Sequence, residues 1–170
     1  MHRQMNINTS TRLALITFML STFAHSSQAH CWEKVGARYK VDPLLLKAIA
    51  WKESRGKADA IGPKLKDGNR ALGMMQINTI HLPKLAEYGI FREHLFKVCT
   101  SQEVAAWVLS SCIRQFGNTW KAVGCYYTGG ASKNTAAQIA YVRDVQRFYR
   151  GYLKQRQTGI SSRLYLRAEE

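Results

Sequence analysis

Apolar residues recur at steps of three and four along most of this chain, and no stretch alternates over the length of a strand, so the pattern predicts a mainly α-helical protein. The clearest helix spans Ser101 to Gly117, where Val104, Trp107, Val108, Ser111, Cys112 and Gln115 share a stripe and Ser101 can cap the start. A second runs from Asn134 to about Lys154, with Tyr141, Val145, Phe148 and Tyr152 on one face. Shorter helices are predicted over Cys31 to Lys40, with Trp32, Val35 and Tyr39 at helical spacing, and within "NTWKAVGCYYTGG", which runs into a tight glycine turn. The segment "MMQINTIHLPKLAEYG" also begins like a short helix, limited by Pro83 or Gly89. Between Gly56 and Gly73 the periodicity stops. That stretch reads as a glycine-rich loop of about 15 residues, long enough to suggest function and with room for at most a small hairpin.

One helix ends unexpectedly. Asp42 and Pro43 supply an N-cap and first turn, and the run "LLLKAIAWKES" then closes on Glu53. Glu53 lies seven residues after Leu46, four after Ile49 and three after Ala50, so these four side chains share a face. A carboxylate on an apolar face loses hydration, which raises its pKa, and the negative end of the helix dipole acts in the same direction. Both effects favour a protonated acid near neutral pH, as a general acid requires. The alternative is a solvated glutamate at a frayed helix end.

The N-terminus narrows the setting. "MHRQMNINTSTR" carries Arg3 and Arg12 and no acid, "LALITFMLSTFA" is a short apolar core, and Ser27 and Ala29 are small residues at a cleavage site. This is the layout of a signal peptide over residues 1–29, cleaved after Ala29; an uncleaved anchor is the other reading. Export makes four cysteines (Cys31, Cys99, Cys112, Cys125) read as two disulfides with three pairings open, and their spacing does not suit zinc. The 170 residues, 46% hydrophobic, suit one globular domain over 30–154, followed by a basic, loose tail over 155–170. The formal charge of +14, less the two arginines of the signal, leaves +12. It favours an acidic wall polymer or anionic lipid over nucleic acid, for which no basic tract interleaved with aromatics is present.

Five segments in register, "CW", "AIAWKES", "DGNRALGMMQIN", "KAVGCYYTGG" and "AYVRDV", give the chain from Cys31 to about Tyr152 a resemblance to lytic transglycosylases of lysozyme-like fold. It most resembles the small exported members that accompany type III secretion, type IV secretion, pilus and conjugation systems. The resemblance implies that Glu53 protonates the glycosidic oxygen between N-acetylmuramic acid and N-acetylglucosamine. The carboxylate then takes the proton of the muramoyl 6-hydroxyl as a 1,6-anhydro ring closes. No water and no second carboxylate are needed, unlike two-carboxylate hydrolysis. Of the acids in the glycine-rich loop, Asp67 before Gly68 reads as a turn and Asp59 as solvated.

The same resemblance implies further roles. Ser54 steadies the acid or contacts sugar, unless it simply stops its helix. Gly73 permits close approach, and of Met74 and Met75 one lines the cleft while the other fills core. Gln76 bonds an N-acetyl or hydroxyl group, and Asn78 caps its own helix. Tyr126 keeps the family's aromatic, but Tyr127 stands where the family has an asparagine and Cys125 where it has an alanine. The amide that would meet the acetamido group is missing, and Tyr127 is left to stack on a sugar ring or to pack. Tyr141 is expected to hold the acid with its hydroxyl, the alternative being a core aromatic. The implied pairing is Cys31 with Cys99, which leaves Cys112 with Cys125, a bridge worth about 3 kcal/mol for a loop of this size.

Taken together these features lead us to expect a single, mainly α, lysozyme-like domain: a monomeric periplasmic lytic transglycosylase that opens peptidoglycan for a secretion, conjugation or pilus machine. A hydrolytic muramidase and a non-catalytic wall-binding factor are the competing readings. No metal, cofactor or nucleic acid is expected, since no ligand cluster, phosphate loop or cysteine with a suitable base is found.

Overall fold

A computed structural model describes residues 24–168, with side chains placed from 31 to 159. Most of the expected signal peptide lies outside the described residues. The first helix, α1, spans Ala24–Tyr39. Helix α2 (Pro43–Ser54) starts as its sequence dictates, with Asp42 Oδ1 accepting from the Leu44 N–H at 2.8 Å and Pro43 in the first turn. It stops where Arg55 turns left-handed at φ 58°. The second carboxylate oxygen of Asp42 accepts from the Tyr149 hydroxyl at 2.5 Å, which ties the start of α2 to the last helix.

Strands β1 (Ala71–Leu72) and β2 (Ile77–Asn78) form a two-stranded antiparallel hairpin, with Ala71 opposite Asn78 and Leu72 opposite Ile77. A 3-10 turn (Thr79–His81), the short helix α3 (Leu82–Ala86) and a second 3-10 turn (Arg92–Phe96) lead into α4 (Val98–Phe116). Helices α5 (Trp120–Thr128) and α6 (Thr135–Ala168) complete the chain. Successive packing of α2 on α6, α6 on α5, α5 on α4, α4 on α1 and α1 on α2 closes a circuit of helices. Leu46, Ile49, Leu72, Met75, Leu95, Leu109 and Val145 fill it. Disulfides Cys31–Cys99 and Cys112–Cys125, with Cα atoms 5.6 and 5.8 Å apart, fasten α1 and α5 to opposite ends of α4.

Several expectations need correction. Met74 to Asn78 is not helical: Gly73 (φ 72°) and Gln76 (φ 47°) reverse the chain, so that Leu72 and Ile77 both reach the core. Pro83 does not end a helix but sits in the first turn of α3, where a missing N–H costs nothing. Ser101 does not cap α4. It lies one turn inside, fully buried, and its Oγ accepts from the Met75 N–H at 3.2 Å. Helix α6 runs past Lys154, where a loose tail was expected, to Ala168. Residues 154–159 are exposed, so over those residues the extension rests on helix propensity and continuity rather than on burial.

Gly73 is the tightest point of the hairpin. A Cβ there would lie 2.0 Å from the Leu95 carbonyl oxygen, on a backbone already at positive φ. Gly56 has a similar φ of 78° but open space around it. We expect Gly73→Ala to lose at least ~3 kcal/mol in urea denaturation or to fail to fold, against ~1 kcal/mol for Gly56→Ala. Equal losses at the two positions would contradict the close approach.

Candidate active site

Glu53 occupies the last turn of α2 and lines a cavity of about 570 Å³ bounded by the hairpin on one side and by α5 and the start of α6 on another. Helix α6 places Tyr141, 3% exposed, so that its hydroxyl donates to Glu53 Oε1 at 2.5 Å. Burial pushes the Glu53 carboxyl up to about 7, against the opposing pull of the Tyr141 hydrogen bond and of Lys52. Lys52 is itself engaged by Asp144 of α6 at 2.6 Å. A carboxyl balanced near neutrality can both give and take a proton. Burial, with the nearby Glu53, raises Tyr141 well above the ordinary tyrosine range, so its hydroxyl remains a donor.

Around the acid, the other expected residues divide between cleft and scaffold. Gln76 lines the cavity, but its amide nitrogen already donates to the Gly73 and Ala60 carbonyls at 2.9 and 3.3 Å, which leaves Oε1 as the atom it can offer a ligand. Tyr126 also lines it, with its hydroxyl donating to the Met75 carbonyl at 2.7 Å. Tyr127 lies in the cleft wall with its ring parallel to that of Tyr141, centroids 4.6 Å apart.

Ser54, by contrast, donates to the Met74 carbonyl at 2.7 Å and joins the end of α2 to the hairpin turn. Met74 and Met75 are both core, at 7% and 0% exposure, rather than one of each as expected, because the turn points both inward. Gly73 is buried, and its close neighbour is Leu95. Asn78 accepts from the Ile80 N–H at 3.0 Å and caps the first 3-10 turn, as anticipated. Asp67 is exposed, and its carboxylate accepts two 3.0 Å hydrogen bonds from Asn69 that hold its pKa below the usual range. It belongs to a turn, and neither it nor Asp59 lines the cavity.

His81, Thr128, Ser132 and Asn134 line the cleft without having been singled out from sequence. They sit in turns and helix ends, where no periodicity marks them; only the position of Ile77–Asn78 as a strand would have brought His81 into view. The His81 ring packs edge-on against Trp107 at 5.8 Å, and burial lowers its pKa, so it is neutral at pH 7. A second cavity of about 420 Å³ shares Asn78, His81, Val108, Tyr126, Tyr127 and Thr128 with the first and extends the groove along α5. Among the described residues, no group of three or more His, Cys, Asp or Glu side chains is disposed to hold a metal ion.

Residues 30–148 match the family described as the transglycosylase SLT domain. The chain is 36% identical over 142 residues to the X polypeptide of Escherichia coli K12, an alignment covering 82% of each protein. It is 36% identical over 140 residues to protein IpgF of Shigella flexneri (82% of this chain, 90% of the relative). It is 34% identical over 137 residues to the invasion protein IagB of Salmonella typhimurium (80% and 84%). The family match spans the residues that build the Glu53 cleft and the lysozyme-like helical fold around it. The chain therefore belongs to the transglycosylase SLT-domain family and is an enzyme of the lytic transglycosylase type.

Proposed function

We propose that Glu53 is the single catalytic acid and base of a peptidoglycan lytic transglycosylase that forms 1,6-anhydromuramoyl ends. The observation that carries this reading is the 2.5 Å hydrogen bond from Tyr141 to a Glu53 carboxyl whose pKa burial lifts to about 7. Protonated Glu53 gives its proton to the oxygen between N-acetylmuramic acid and N-acetylglucosamine. The C1–O bond breaks, the N-acetylglucosamine fragment leaves with that proton, and positive charge develops at C1 of the muramoyl residue. The muramoyl O6 then bonds to C1, and its proton passes to the Glu53 carboxylate, which restores the acid. The Tyr141 hydrogen bond holds one carboxylate oxygen and softens the charge that forms on it.

A muramidase would need a second group to activate water, commonly a carboxylate. Glu53 is the one carboxylate lining the cavity among the described residues, which favours attack by the substrate's own hydroxyl. The Glu53 carboxyl, held by Tyr141 within the cleft and raised to about 7, likewise favours a working enzyme over a binding module.

Peptidoglycan lies outside the cytoplasm. The signal-like residues 1–29 support a periplasmic enzyme with its domain over 30–154, and the positive charge suits the carboxylates of stem peptides. No helix among the described residues is long and apolar enough to cross a membrane. The invasion protein among its relatives supports a role in opening the wall for a secretion or conjugation apparatus, whose components would be its partners.

The reading is tested by mass spectrometry of the products released from purified peptidoglycan. Wild type should release anhydromuropeptides, and Glu53→Gln should lose at least ~10²-fold of that activity while staying folded. Reducing ends dependent on Glu53 would make the enzyme a muramidase instead. In the pH–rate profile, Tyr141→Phe should lower kcat by about tenfold or more and move the basic limb to higher pH, because loss of a hydrogen bond to the carboxylate raises its pKa. An unshifted limb would remove Tyr141 from the mechanism.

A further inference from the structure

Tyr127 combines two properties that seldom meet in one side chain. It is 53% exposed, in the wall shared by both cavities, yet one face of its ring is covered by Tyr141, parallel to within 5°. Tyr141 in turn is nearly inaccessible and holds the acid. Tyr127 thus lies on the cleft side of Tyr141, which in turn holds Glu53, and the acid opens on the same cavity.

The backbone that carries Tyr127 is clamped on several sides. Two residues earlier, Cys125 is bridged to Cys112 of α4. One residue earlier, Tyr126 is bonded to the hairpin turn at the Met75 carbonyl. One residue later, the Thr128 hydroxyl accepts from Gln138 of α6 at 2.7 Å. An exposed aromatic with two free torsions would ordinarily sample several rotamers. Here its backbone is fixed from α4, the hairpin and α6, and its ring rests on a second ring that cannot move without breaking the bond to Glu53. An offset parallel pair at this separation is a favoured aromatic geometry.

We infer that Tyr127 is a positioning residue: it caps Tyr141 against the cleft, shields the Tyr141 side of the hydrogen bond to Glu53 from water, and offers its outer face as the wall against which a sugar ring lies. The inference rests on Glu53 being the acid, as proposed above. It accounts for an aromatic at a place where the resemblance led us to expect an amide. It also gives the Cys112–Cys125 bridge a purpose beyond stability, since that bridge fixes the segment from which the aromatic projects.

The groups that face Glu53 are Lys52 from its own helix, Tyr126 from α5 and Tyr141 from α6. Opening the stack admits more water around the Tyr141–Glu53 pair and relieves part of the burial that dominates the carboxyl's shift. It also loosens a hydrogen bond, which works in the opposite direction and is the smaller cause. Loss of the Tyr127 ring should therefore move the acid's titration downward, opposite in sign to Tyr141→Phe.

The test compares Tyr127→Phe, Tyr127→Asn and Tyr127→Ala in the mature protein. Three readouts are used: kcat and KM on purified peptidoglycan, the basic limb of the pH profile, and carbon-13 NMR titration of the Glu53 carboxyl. The phenylalanine variant keeps the stack and should stay within about twofold of wild type. The alanine and asparagine variants should lose tenfold or more in kcat and move both the basic limb and the NMR midpoint to lower pH, while still unfolding cooperatively. Alanine and asparagine variants with wild-type kcat and midpoint would overturn the inference. So would a rise in KM alone, which would leave Tyr127 as a sugar contact only. If wild type releases no anhydro products, the proposed reaction has failed, yet the NMR midpoints still decide whether Tyr127 controls the environment of Glu53.

Discussion

A carboxylate on the apolar face of a helix is an unfavourable thing to bury, and the neighbours of Glu53 can be understood as responses to it. The side chain cannot retreat to solvent, because Leu46 and Ile49 on the same face of α2 lock that face into the core. One oxygen is met by the Tyr141 hydroxyl from the opposite helix. The nearest lysine, Lys52, is engaged with Asp144, so it does not supply the close ion pair that would drive the carboxyl fully ionised. What remains is a group poised near neutrality, which is the state the chemistry needs.

The hairpin supplies the facing wall and is held by contacts that are almost all to backbone. Ser54 reaches the Met74 carbonyl, Tyr126 reaches the Met75 carbonyl, and Ser101 receives the Met75 N–H. Helices α2, α5 and α4 thus each grip the same turn. That turn forms because Gly73 can pass within reach of the Leu95 carbonyl at positive φ, which a larger residue could not do. Position of the cleft therefore depends on the hairpin, and the hairpin on one glycine.

Much of the helical frame was legible in the sequence because each helix presents its own period to the core. The stripe of Tyr141, Val145, Phe148 and Tyr152 lies where that period puts it, and so does Glu53. The reversal at Met74–Asn78 was not legible. Met, Gln and Ile at helical spacing are compatible with a short helix, and only the tertiary contacts of Gly73 and Ser101 turn them into a hairpin. For the same reason both methionines turned inward and Ser101 became a buried acceptor instead of a cap. His81 and Asn134 entered the cleft through turns, which carry no pattern of their own. The stack of Tyr127 on Tyr141 joins residues on separate helices, and nothing in either segment alone announces it.

The account is tested most directly by the stability of wild type against Glu53→Gln as a function of pH. A carboxyl whose folded pKa of about 7 lies above its unfolded value near 4.5 leaves the protein at full stability below the lower value. That stability is lost as pH rises from the lower value through the upper one, since between them the native state binds more protons than the unfolded chain. Glutamine does not titrate, so other groups cancel in the comparison. The variant should gain on wild type between pH 4 and pH 8 by ~2–3 kcal/mol in urea denaturation, with most of the gain in place by neutrality. A stability gap that stays constant over that range would mean that Glu53 is an ordinary, solvated carboxylate, and the single-acid mechanism built on its burial would fall with it.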